Sequence, residues 1–144
     1  MPVIQAELEV AARGIVDGAA RGPALVAAEA ISFLGDVNIR SGTIVGDLPS
    51  VRGKSMRGTV LIFPYTRGSA GAWRFLHQLH KHGNAPAALV TVSVPDPSVV
   101  QGAILAGIPI ACAPTQNLAA LVADGDMVEV AVAGERATIR LARR

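Results

Sequence analysis

The clearest pattern along the chain is a set of short apolar runs without polar alternation. "RGTVLIFP", "AALVTVSV" and "IPIACAP" are dominated by Val, Ile, Leu and Ala. Such runs predict strands buried on both faces. Between them the period changes. Ala72, Phe75, Leu76 and Leu79 stand at i, i+3, i+4 and i+7, which marks one face of a helix from about Ser69 to Lys81, ending near Gly83. "DPSVVQGAILAG" predicts a second helix, with Asp96 as its cap, Pro97 at its first position and Gly107 just past its end. "TQNLAALV" predicts a short third helix. The middle of the chain therefore alternates β-α-β-α-β, the order of a parallel sheet with right-handed crossovers.

The first half lacks helical periodicity and is punctuated by glycines. "IQAELEVAARGIV" and "PALVAAEAIS" read as strands or extended segments, "GTIVG" as a short strand, and "NIRSG" and "DLPSVRG" as turns. The end, "DMVEVAVAGERATIRLA", reads as a hairpin around Ala133 and Gly134. The expectation is one mixed α/β domain over residues 1–144, with a mixed sheet and a second β layer.

Composition narrows this picture. Hydrophobic residues make up 51% of the 144 positions and aromatics only 3%, so the core is built from aliphatic side chains. A net charge of +2 with scattered basic residues does not point to nucleic acid, and Arg143–Arg144 reads as a solvated tail. The one cysteine, Cys112, allows no internal disulfide, fits a reducing, cytoplasmic setting and cannot by itself hold an iron–sulfur cluster. The opening residues lack a signal-peptide pattern. The longest apolar run is interrupted by Gln101, Gly107 and Pro109, so no membrane span is expected.

The chemistry concentrates in "PYTRGSAG", at the carboxyl end of a buried strand and the start of a helix, where α/β folds bind ligands. A helix N-terminus favours anions. Arg67 adds a planar cation for a carboxylate, and Gly68 and Gly71 permit close approach to the backbone. Ser69 has two open roles: a reactive hydroxyl in a positive field, or the N-cap of the helix. Other features weigh less. "GKS" at Gly53–Ser55 is not a phosphate loop, because the required first glycine position holds Leu48 and a strand follows. Trp73, His77 and His80 share a helix face without a matching carboxylate; they read as an interfacial stripe, with Trp73 covered by another element or a partner chain. Cys112 reads as an inert core thiol and Asp124 and Asp126 as turn residues, while the polar cluster of Glu29, Asp36 and Asn38 is open to an active-site role.

The order "GPALV", "SFLG" before "SGTIV", "PYTRGS" and "AILAGIPI" resembles the small subunit, or swivel domain, of the aconitase X family, over nearly the whole chain from about Gly14. The resemblance implies a swivelling β/β/α domain like that of aconitase, closing over a large subunit that carries an iron–sulfur cluster. It implies dehydration of a small hydroxy acid, with the cluster acting on the leaving hydroxyl and Ser69 in proton transfer. It further implies that Arg67, Gly68, Ala70, Gly71, Ser32, Phe33 and Gly35 line the substrate site. Ala70 and Trp73 stand where the family pattern carries hydroxyls, and Tyr65 where phosphate-handling members tend to carry lysine. These departures favour a substrate like cis-3-hydroxy-L-proline over mevalonate 5-phosphate. They also keep open a diverged, non-catalytic binding module. A self-contained enzyme is the weakest reading, and self-association of the isolated chain stays open.

Overall fold

The computed structural model describes residues 7–142. The first residues of the expected opening strand and the Arg143–Arg144 end lie outside the described residues. The elements run β1 (Glu7–Val16), β2 (Gly18–Val26), β3 (Val60–Phe63), α1 (Ala72–Lys81), β4 (Ala88–Thr91), α2 (Pro97–Ala106), β5 (Ile110–Cys112), α3 (Leu118–Leu121), β6 (Met127–Ala133) and β7 (Arg136–Ala142). The seven strands close into a barrel in the order β1-β5-β4-β3-β2-β6-β7. One wall, β2-β3-β4-β5, is parallel. The other is antiparallel: β6 pairs with β2 and β7, and β1 pairs with β7 and β5. The expected second β layer is thus the antiparallel wall of a single closed sheet.

The alternation hidden in the apolar runs becomes visible here. On β3, Val60 and Ile62 face the barrel interior, together with Val10, Val90, Val130 and Ile139 from other strands. Leu61 and Phe63 face outward into a second core beneath α1 and α2, with Leu76, Leu79 and Ile110. Both sides of the strand are dry, so no polar position marks a face. No aromatic residue belongs to the interior cluster. Val, Ala, Ile and Leu fill a narrow barrel without clash, and that accounts for the aromatic-poor composition.

Helix α2 begins and ends where Asp96, Pro97 and Gly107 place it, with Gly107 in the left-handed region at φ 71°. Helix α1 begins at Ala72, three residues after Ser69. The second strand starts earlier than "PALV" and leaves the sheet after Val26. "GTIVG" is not a strand: Thr43 bridges Ser55 and Ile44 bridges Val37 as isolated pairs. These pairs belong to a long loop whose Phe33, Val37, Ile44, Val51 and Met56 are buried in the outer core.

Helices α1 and α2 pack through Gly102. A Cβ there would stand 2.9 Å from the Trp73 Cα and 3.0 Å from the Leu76 Cβ. Alanine is the better helix former by about 1 kcal/mol, but overpacking at a rigid contact costs about 1–3 kcal/mol. Gly102→Ala is expected to lower the midpoint of urea unfolding; an unchanged or raised midpoint would show that the helices separate freely.

Candidate functional site

The carboxyl ends of the parallel strands carry two concavities. A groove of about 520 Å³ runs past Ile62, Phe63, Val90, Val92 and Leu118, and its walls hold no titratable side chain. A groove of about 400 Å³ is lined by Gly68, Ser69, Ala70, Asp96, Pro97, Ser98 and Gln101. Only the second has a hydroxyl and a carboxylate at its surface, so the candidate chemistry lies there.

Local structure explains how Ser69 reaches this place. Pro64 ends β3, and residues 64–71 cross from the sheet to α1 without regular structure. Ser69 does not cap α1. The N-cap is Gly71. The Ser69 Oγ accepts a hydrogen bond from the Gly71 N–H at 3.2 Å, and its carbonyl accepts from Ala72 N. The capping task passes to Ser98, whose Oγ accepts from Trp73 N at 3.0 Å and donates to the Ala70 carbonyl. A backbone N–H directed at the Ser69 oxygen, at the start of a helix, stabilises negative charge on it. Ser69 is half-buried and open to the groove.

Two carboxylates hold adjacent residues of the loop from different segments. The Asp96 Oδ2 accepts from Thr66 Oγ1 at 2.7 Å, and Thr66 Oγ1 accepts in return from Asp96 N at 3.0 Å. Gly68 leaves the space this requires, since a Cβ at 68 would lie 3.3 Å from Asp96 Oδ2. Asp36 is buried and accepts from Arg67 Nη2 at 2.6 Å and from Ser32 N at 2.8 Å. The Ile31 carbonyl accepts from Arg67 N, and Ile31 N donates to the Tyr65 carbonyl.

The structure therefore brings Gly68, Ser69 and Ala70 to one groove. Arg67 does not line it; its guanidinium is tied to Asp36, which joins it to Ser32 and the turn containing Gly35. Phe33 is buried at 1% exposure and packs edge-on against Phe63 at 6.4 Å, so its side chain anchors the loop from within the core. Thr66, Asp96 and Ser98 carry no site signal in the sequence, and Asp36 carries only that of a polar cluster open to an active-site role. Asp36 stood in the polar cluster and Asp96 was read only as a cap, but their partners lie 31 and 30 residues away and carry no local signal.

Other groups do not compete. Burial pushes the Cys112 thiol up, with Arg13 partly opposing. Among the described residues no group of three or more His, Cys, Asp or Glu side chains could hold a metal ion, so these residues do not fit an iron–sulfur cluster. Trp73 and His77 line a separate groove with Ile39 and Phe75, where His77 Nδ1 is buried without a hydrogen-bond partner among the described residues. Among the described residues no helix is long and apolar enough to cross a membrane.

Residues 9–141 match the aconitase X swivel domain. The chain belongs to that family. The phosphomevalonate dehydratase small subunit of Methanocella arvoryzae is 42% identical over 123 residues, covering 85% of this chain and 92% of the relative. The subunit of the same name from Methanothermobacter thermautotrophicus is 38% identical over 123 residues, covering 85% and 93%. The crystal structure of Thermococcus kodakaraensis aconitase X in its holo-form superimposes with a TM-score of 0.83 at 26% identity, covering 94% of this chain and 99% of that one.

Loss of the Thr66–Asp96 pair would leave a carboxylate short of its partner beside Ser69. Thr66→Val is expected to cost about 1–3 kcal/mol in urea unfolding. A change under about 0.5 kcal/mol would show that the pair does not hold the loop.

Proposed function

We propose that this swivel domain is the small subunit of a dehydratase acting on mevalonate 5-phosphate, completed by a large subunit that carries the iron–sulfur cluster. The observation that carries the substrate is the shared name of the relatives, which this chain covers over 92–93% of their length. A substrate like cis-3-hydroxy-L-proline finds no such support. The departures that pointed to it, Tyr65 and Ala70, are exposed side chains, and Trp73 faces the other groove. None of the three removes the Ser69 oxygen or its N–H partner.

In this reading the chain positions, shields and moves a proton. Mevalonate 5-phosphate carries a hydroxyl β to its carboxylate, so loss of water removes a proton from the intervening carbon. Ser69 takes or relays that proton, its oxygen steadied by the Gly71 N–H. Arg67 offers its remaining guanidinium donors to an anionic group of the substrate, and Gly68, Ala70 and Gly71 keep the backbone approachable. Ser32 and Gly35, on the neighbouring turn, border the Arg67 side of the site. The exposed Leu34, Tyr65, Val92 and Val94 lie on the loops and strand ends around it, and closure against the large subunit would exclude water from this face.

Reconstitution with the large subunit tests this. Ser69→Ala is expected to lower kcat by about 10²–10⁴-fold with assembly and iron content unchanged. Wild-type turnover in that variant would remove Ser69 from the mechanism.

A further inference from the structure

We infer that Asp36 is a positioning residue that sets the orientation of Arg67 for substrate; this rests on the site proposed above. Arg67 is half-exposed on an irregular loop, with a side-chain exposure of 53%, and an arginine so placed would sample many rotamers. The Asp36 side chain is only 9% exposed. A carboxylate is costly to bury unless its oxygens are satisfied. Here Oδ2 accepts from both Ser32 N and Arg67 Nη2.

The carboxylate is itself fixed by shape. A Cβ on Gly46 would fall on Asp36 Oδ1, and 3.0 Å from the Asp36 Cα. Val45 N and Gly46 N both donate to the Asp36 carbonyl, and Asp36 N donates to the Ser32 carbonyl. The backbone of Asp36 is thus pinned on both sides, and glycine at 46 leaves the room that the carboxylate occupies. The pair engages one end of the guanidinium. Among the described residues the guanidinium has no second acceptor, so its other donors stay free for an anion. Pre-ordering a planar, multi-donor group lowers the ordering cost of binding. The effect belongs to substrate affinity and not to the chemical step.

The test uses the reconstituted two-subunit complex and mevalonate 5-phosphate. Asp36→Asn keeps the shape and removes the charge; it is expected to raise KM about tenfold while kcat stays within threefold. Gly46→Ala displaces the carboxylate without removing any charge and is expected to raise KM in the same direction. If Asp36→Asn does not assemble, Gly46→Ala decides by the same criterion. In an Arg67→Ala background, Asp36→Asn is expected to add no further rise in KM, because it acts through Arg67. A KM within twofold of wild type, or the full tenfold rise without Arg67, would overturn the assignment. Ser69→Ala separates the two readings. An inactive Ser69→Ala complex with unchanged KM in Asp36→Asn overturns the role of Asp36 alone, whereas a fully active one overturns the site itself.

Discussion

Closure of the sheet is the constraint on which the rest depends. β1 pairs on one side with β7 and on the other with β5, so the first strand joins the antiparallel wall to the parallel one. Closure removes sheet edges and fixes a narrow interior that only aliphatic side chains fill. It also directs the outward faces of β3, β4 and β5 into the second core, where Leu61, Phe63, Leu89 and Ile110 support α1 and α2. The ends of β3 and β4 are thereby rigid, and the loop that follows β3 inherits a fixed starting point.

From that point polar contacts take over. Residues 66 and 67 are each held by a carboxylate from a different segment, Asp96 through Thr66 and Asp36 through Arg67. Ser98 bridges the amino ends of α1 and α2. Ser69 lies between these fixed points, and its oxygen meets one backbone donor. The arrangement leaves the Ser69 hydroxyl poised at an open groove. That suits a domain whose active site is completed by a partner.

Much of this was legible in the sequence. Asp96, Pro97 and Gly107 mark α2 at both ends, and the alternating apolar and periodic segments give the parallel β3-β4-β5 unit. The closing hairpin was equally plain. Barrel closure was not, because the pairing of Arg13 with Cys112 depends on chain closure over most of the molecule. Consecutive β1 and β2 do not even pair with each other. Ser69 was open to a cap reading, since serine before a helix ordinarily caps it. The donor it accepts from is Gly71 N, while the capping hydroxyl comes from Ser98, 25 residues beyond Trp73. The motif around Arg67 was visible and Asp36 stood in a polar cluster, but their pairing was not: nothing near Asp36 in the chain announces a partner 31 residues on.

The central claim is that the Ser69 oxygen handles the proton taken from carbon. The most direct measurement follows deuterium incorporation from D2O at the carbon next to the carboxylate of mevalonate 5-phosphate, in the reconstituted complex at equilibrium. The wild-type complex is predicted to incorporate deuterium there, and the Ser69→Ala complex, with its iron retained, to incorporate none over the same time. Incorporation by the variant at the wild-type rate would contradict the account.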